Sequence, residues 1–568
     1  MDFTITVLLI LSLTCNHLAL VDNMNATIQD GLKREKSDTS ESDVFSIILK
    51  ANEELSMKYQ SRQLSGCRRQ RCCLSPSLLF CSVKRTRNKI IQYGDVLVDT
   101  ARNAKMCDNE PRSCLWPSSG DGNVYIPYTL HQDYSQDHRI LIKRSLDEIG
   151  TLTCVKFYYR RTNEPAYISV TSEKGCYSHV GYRRNKRRLS LEIPGCVYFG
   201  VILHEFLHAI GFHHEHQRSD RDKYITILIQ NVIPGQQNNF NLQKTNNLGT
   251  EYDYGSIMHY GRTAFAKPGL KVMLPKPDSD IELGQYRGLT TKDVHKINKL
   301  YNCDICGNML IANSGHFTTP NFPGLYPNNA DCKWIIRGRR HFKILLEFSS
   351  FMIQEFTACI GDHLIIYDGA NNLAKILDGP ICGAENPAVM STENELLITF
   401  TSTRSLPAHG FAASYRLITC GHMLKTSEGQ IESKSDHSKD VHCFWVVLIK
   451  RQYKIILNVE ELNIKNSTNC TENNLVIHDA ARTPPAVIGK YCGKVSLPLN
   501  MISFGRTVVI EFQHKQSKSD YRFKISYKSI VSKNPPMVSG ASHEGSYYNN
   551  FAFVPYILLT FSWRTEFL

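Results

Sequence analysis

Apolar and polar positions follow different rules in different parts of this chain. From about Val21 to Arg102 the sequence is polar and charged, and only Asp43 to Asn52 spaces its apolar residues as a short amphipathic helix would. Ser61 to Lys89 shows neither helix nor strand period and scatters Cys67, Cys72, Cys73 and Cys81 among arginines, which reads as a disordered insertion. From Asn103 the texture changes. Asn123 to Thr129 alternates as a strand, and His138 to Ile149 sets Ile140, Leu141, Leu146 and Ile149 on or near one helix face. Cys154 to Tyr159 and Ala166 to Val170 read as strands, and Ile202, Leu203, Phe206, Leu207 and Ile210 pack a second helix. A last helix, Thr291 to Tyr301, is closed by Cys303. This order predicts an α+β domain over residues 103–303.

Beyond Cys303 the period shortens to that of strands. WIIRG, KILLEF, HLIIYDG, ELLITFTS and AASYRL lie within residues 306–419, and FWVVLIK, KIILNVE, NLVIHDA, TVVIEF and RFKISY within 420–530. Each unit carries four cysteines at similar spacing, so the chain is multidomain, with an internal repeat of two all-β sandwiches. The tail, residues 531–568, fits neither pattern; its apolar run from Phe551 to Trp563 contains Pro555 and is too short to cross a bilayer.

Composition narrows the setting. A short apolar run, Ile5 to Leu13, reads as the core of a signal peptide over residues 1–20, although Asp2 stands where a basic residue is usual. Nineteen cysteines in an exported chain imply disulfides and a secreted, extracellular protein. Sequons at Asn25, Asn466 and Asn469 fit that setting. The net charge of +13 is spread over 568 residues with no nucleic-acid motif, so no nucleic-acid partner is expected. The basic run Arg183 to Arg188 reads as a solvated loop.

The chemistry is concentrated in His204-Glu205-x-x-His208-x-x-Gly211-x-x-His214. Histidines four apart on a helix share one face, so both imidazoles can reach one zinc ion with Glu205 beside them as general base. Gly211 can leave the right-handed helix region, letting the chain turn back so that His214 adds a third nitrogen. Three protein ligands leave a fourth position open, as catalytic rather than structural zinc sites do. At average composition the five specified residues would match by chance in roughly one such chain in ten thousand or fewer.

The run HEFLHAIGFHHEHQRSDRDKY, extending through Arg218, Asp220, Arg221, Asp222 and Tyr224, resembles the astacin-family signature among the metzincins, and SIMHY resembles its Met-turn. The two repeats resemble CUB domains. The resemblance implies a zinc endopeptidase holding one zinc per chain on His204, His208 and His214, with Glu205 as base, Tyr260 stabilising the oxyanion and Met258 beneath the metal. It implies a propeptide over residues 21–102, removed by a trypsin-like protease at Arg102, with Asp95 of Gly94-Asp95 covering the metal beforehand. The family usually has phenylalanine two residues before that glycine; here Gln92 stands there. Glu215 would then pair with the new N-terminus. Cys176 to His179 resembles the edge strand that receives extended substrate.

The resemblance also implies disulfides Cys107–Cys114, Cys154–Cys303, Cys176–Cys196, Cys306–Cys332, Cys359–Cys382, Cys420–Cys443 and Cys470–Cys492. Many CUB domains bind calcium through a glutamate and two aspartates. Here the first unit keeps Asp362 but has Gln354 and Thr403 at the other places, and the second has Asn473, so no calcium dependence is expected. An astacin domain followed by two CUB units is similar to hatching-enzyme-type proteases of amphibians and fish, which implies egg-envelope glycoproteins as the extracellular substrate and glycoprotein or matrix contacts through the CUB units. The alternatives are tolloid-like processing of matrix or growth-factor precursors, and a non-catalytic CUB binding protein.

Overall fold

The computed structural model describes residues 46–52, 89–99, 114–161, 163–403, 407–434, 440–493, 495, 497–515 and 521–532. The expected signal peptide, Asn25, the cysteine-rich insertion, Arg102, Cys107 and the tail beyond residue 532 lie outside these residues.

An antiparallel hairpin of β1 (Lys89–Gln92) and β2 (Val96–Asp99) stands ahead of the α+β domain. That region begins with β3 (Val124–Leu130), α1 (Gln136–Leu152), β4 (Val155–Tyr159), β5 (Ile168–Thr171), β6 (Cys176–Ser178), β7 (Arg187–Leu191) and α2 (Phe199–Ala209). It ends with α3 (Thr291–Tyr301). All seven strands make one sheet in the order β1-β2-β6-β7-β5-β3-β4. Helix α1 is longer at both ends than its apolar stripe suggests. Ser135 caps it by accepting from the His138 N–H at 3.2 Å, and Leu152 continues the buried face of Ile142, Leu146 and Ile149. Strands β8 (Ile225–Ile227) and β9 (Met273–Pro275) form a separate pair that the sequence did not announce, because three residues are too few to show alternation.

The first repeat is a sandwich of nine strands: β10 (Gly307–Leu310), β11 (Ser314–Thr318), β12 (Asp331–Arg337), β13 (Lys343–Met352), β14 (His363–Tyr367), β15 (Ile376–Ile381), β16 (Ala388–Met390), β17 (Glu395–Thr401) and β18 (Gly410–Ile418). One sheet runs β10-β12-β17-β14-β15 and the other β11-β18-β13-β16. The second unit repeats this arrangement over residues 421–531. Of the nine strands in each unit, the sequence pattern reveals five.

The domains share cores. Met309, Ile335 and Leu397 of the first β-sandwich repeat are buried in the core of the α+β domain. Phe444, Val446, Leu448, Ala480 and Val509 of the second are buried with the first. Among pairs with both cysteines in the described residues, six disulfides link Cys154–Cys303, Cys176–Cys196, Cys306–Cys332, Cys359–Cys382, Cys420–Cys443 and Cys470–Cys492. Cys114 is also disulfide-bonded, and its expected partner Cys107 lies outside the described residues. Among the described residues no helix is long and apolar enough to cross a membrane.

Candidate active site

Helix α2 carries His204, Glu205 and His208, and all three are buried. The helix ends where Gly211 takes φ +115°, and its N–H returns to the His208 carbonyl at 2.8 Å. That reversal brings His214 to the other two imidazoles, with ring centroids 4.7 Å from His208 and 5.3 Å from His204.

A fourth group arrives from far upstream. Tyr93 (φ 53°) and Gly94 (φ 86°) make the left-handed hairpin turn between β1 and β2 and direct Asp95 into the cluster. Its Oδ2 lies 3.1 Å from His204 Nε2, and its Oδ1 lies 3.4 Å from His208 Nε2 and 3.1 Å from His214 Nε2. The ligating atoms of these four residues fall within 4.8 Å of one another.

The outer nitrogens fix the tautomers. His204 Nδ1 meets the Ile257 carbonyl at 2.8 Å, His208 Nδ1 the Phe212 carbonyl at 2.7 Å, and His214 Nδ1 the Gln217 Oε1 at 3.3 Å. Those oxygens only accept, so each proton sits on Nδ1 and each Nε2 presents a lone pair inward. Burial lowers the His214 imidazole and takes His208 down to about 4. Burial alone would raise Asp95, yet His214 and His208 outweigh it and hold the carboxyl well below 3.8. With each ring proton on Nδ1, the inward Nε2 lone pairs face the Asp95 carboxylate acceptor to acceptor, and Asp95 Oδ1 and His208 Nε2 have no hydrogen-bond donor. A divalent cation between them resolves the conflict, and nitrogen-rich tetrahedral donors suit zinc.

Glu205 is fully buried, and neither carboxylate oxygen has a hydrogen-bond partner. Burial, and after it the Asp95 charge, push its carboxyl well above 4.5. Tyr260 is buried with its ring 4.6 Å from His214, and its hydroxyl donates to the Tyr93 carbonyl. Burial first, then Asp95 and Glu205, raise its phenol well above 10. Met258 is buried within the Met-turn, and its carbonyl accepts from the Glu215 N–H at 2.9 Å.

Glu215 is paired with Lys296 at 2.7 Å and Arg218 at 3.1 Å, and accepts from the Asp253 N–H at 2.9 Å. The segment that would supply a new N-terminus lies outside the described residues. Edge strand β6 is antiparallel to β7, and its free side meets β2 in parallel at Val96 and Ser178. The basic run beyond it is only partly a solvated loop. Arg187 is buried and donates to the Gly181 and Val180 carbonyls, and Arg188 pairs with Glu173.

Sequence reasoning missed three contributors. His216 stacks on Tyr260 at 3.8 Å, Asp293 accepts from the Ser256 hydroxyl at 2.6 Å, and Asn52 reaches β6. The Thr290-x-x-Asp293 capping pattern was a usable signal for the second; the others had none.

Residues 112–302 match the astacin peptidase family, and residues 306–415 and 420–527 each match the CUB domain. Embryonic protein UVS.2 of Xenopus laevis is 35% identical over 443 residues, covering 77% of this chain and 85% of that protein. Astacin-like metalloendopeptidase of Gallus gallus is 38% identical over 336 residues, covering 59% of this chain and 81% of that protein. Among solved structures, high choriolytic enzyme 1, a hatching enzyme zinc-protease from Oryzias latipes (medaka fish), is 44% identical, with a TM-score of 0.33 and coverage of 34% of this chain and 96% of that one. The chain belongs to the astacin family of metalloendopeptidases and carries two CUB domains after its protease domain.

Proposed function

We propose that this protein is a secreted zinc endopeptidase made as a zymogen and acting, once activated, on egg-envelope glycoproteins. The observation that carries the reading is the Asp95 carboxylate seated against three imidazoles whose outer nitrogens are all held by acceptors. His204, His208 and His214 would hold the zinc. When bound, zinc supplies Lewis acidity, polarising the scissile carbonyl and making water a better nucleophile at neutral pH.

The chain's own residues do the rest. Strand β6 receives extended substrate along its free edge, positioning the scissile bond by backbone pairing. Glu205 accepts the proton of the attacking water on its unpartnered carboxylate and delivers it to the leaving amine. Tyr260 donates its hydroxyl to the developing oxyanion, an interaction open to it once the Tyr93 carbonyl departs. Met258 lies buried in the Met-turn, within the protease core. In the zymogen Asp95 occupies the inner ligand position, and β1 and β2 fill the substrate edge. Cleavage at Arg102 by a trypsin-like protease removes both blocks, and Glu215 then exchanges a partner for the new N-terminus. The disulfide framework and sequons Asn25, Asn466 and Asn469 support export, and the CUB units offer surfaces for glycoprotein or matrix contact.

The test is incubation of the trypsin-treated chain with isolated egg envelope and, in parallel, with matrix and growth-factor precursors. Envelope solubilisation, abolished by a chelator and absent in Glu205→Gln, is expected. Cleavage confined to the precursors would replace the hatching reading with a tolloid-like one, and cleavage of nothing would leave a binding protein.

A further inference from the structure

The Met-turn is connected to the first CUB domain by polar contacts joined through one short loop. His204 Nδ1 is held by the Ile257 carbonyl at 2.8 Å. The Ile257 N–H and the Ser256 hydroxyl both donate to Asp293, at 3.1 and 2.6 Å. Asp293 belongs to the capping box of α3, whose N-cap is Thr290. Just before that cap the chain passes through Arg287 and Gly288, and there it meets Arg337, the last residue of β12.

Arg337 is buried and satisfies its guanidinium on three elements. It donates to both Glu148 oxygens on α1 at 3.1 and 2.5 Å, to Glu395 on β17 at 2.7 Å, and to the Arg287 carbonyl at 3.3 Å. Glu148 in turn accepts from the Leu289 N–H at 3.5 Å. Gly288 takes φ +127°, and a Cβ there would overlap the Arg337 guanidinium. The same guanidinium, together with that of Arg144, lies 5.2 Å from the ring of Phe199, the first residue of α2. One residue past the cap, the Thr291 hydroxyl donates to the Met309 carbonyl of β10 at 2.5 Å. The CUB unit therefore grips the start of the histidine-bearing helix and the start of the helix that holds the Met-turn.

We propose that Arg337 of the first CUB domain is a positioning residue for the metal centre, acting through the Gly288 loop, Asp293 and the Met-turn on the orientation of His204. The inference rests on His204, His208 and His214 being the zinc ligands. Partners that orient a ligating imidazole govern how tightly it holds the metal, because a ring free to rotate loses its aim. A buried arginine also cannot be removed without stranding the carboxylates it pairs, so the loop it anchors must move.

The test is the rate at which the zinc-loaded full-length chain releases metal to excess chromogenic chelator. Arg337→Leu is expected to release zinc about 10–100 times faster than wild type, and Arg337→Lys to fall between the two. Arg506→Leu is the control. That arginine is as buried as Arg337 and pairs with Asp378 at 2.7 Å, but it sits at the seam between the CUB units, so release at the wild-type rate is expected. Should Arg337→Leu not fold, Thr291→Val, which removes only the bond to the Met309 carbonyl, carries the same expectation with a smaller acceleration. Wild-type release from the folded variant, or equal acceleration by Arg506→Leu, overturns the inference. A wild-type chain that takes up no stoichiometric zinc overturns the ligand assignment itself, and this inference with it.

Discussion

Asn52 and Cys176 pair edge to edge: the Asn52 side-chain amide donates to the Cys176 carbonyl at 2.8 Å and accepts from the Cys176 N–H at 2.9 Å. An amide side chain thus takes the place that a neighbouring strand's backbone would occupy on β6. The same Nδ2 donates to the Gly94 carbonyl at 2.9 Å, next to Asp95. Ile48, one turn earlier, is fully buried in the protease core. The segment ahead of the protease is therefore held at the edge strand as well as at the histidines. Asn52→Ala removes these bonds and leaves the Cys176 groups unpaired, at a cost of about 1–3 kcal/mol. The uncleaved variant should show measurable peptide hydrolysis where wild type shows none, and its prosegment should be cut faster by trypsin. Unchanged latency and cleavage rate would mean that the helical segment contributes nothing to inhibition.

Asp95→Ala should release latency more completely than Asn52→Ala, since it removes the carboxylate that faces all three histidines. Asp95→Asn keeps the volume but removes the charge and should give an intermediate background. Hydrolysis of a quenched peptide by the purified, uncut chains measures both. A mutant as silent as wild type would assign latency to the strands alone.

Tyr260→Phe should lower kcat by about 10²–10³ after activation, the usual cost of losing one oxyanion donor. Because the hydroxyl's bond to the Tyr93 carbonyl is already lost in the active form, zinc content and KM should stay close to wild type. A variant that keeps its kcat shows the tyrosine to be packing alone.

Acid should weaken the joint between protease and CUB domain. Burial would raise Glu395, but Arg337 and Arg144 outweigh it and hold the carboxyl below 4.5. A folded pKa below the unfolded one stabilises the protein above the unfolded value, and that contribution is lost as pH falls through the folded one. The difference in thermal midpoint between wild type and Glu395→Gln should therefore be largest near neutral pH and shrink below about pH 4.5. A difference that does not vary with pH would mean that the ion pair is not responsible.

Calcium should leave the thermal midpoint of the chain unchanged. The Asp362 carboxylate already accepts from the Tyr326 hydroxyl, the Thr403 N–H and the Thr403 hydroxyl, each at 2.7 Å, and no second acid stands at Gln354 or Thr403. Protein donors thus fill the oxygens that a calcium ion would need. Tight stoichiometric uptake in a calorimetric titration would contradict this.

What the sequence determined by itself was local. His204, His208 and Gly211 declare themselves because helical geometry converts spacing into a shared face and a glycine into a reversal. Met258, Tyr260 and Asp95 were reachable because each sits in a short pattern with a fixed role. Five strands in each CUB unit were legible because one buried face imposes a period of two. Tertiary structure alone decided that Asn52 would stand in for a strand, and that Arg337 would close over Glu148 and Phe199 instead of facing water. An arginine ending a strand, or an asparagine ending a helix, reads as solvated surface, since nothing nearby in sequence can pair it. Its partner is chosen by which distant elements the folded cores bring within hydrogen-bond range, and only the completed packing fixes that.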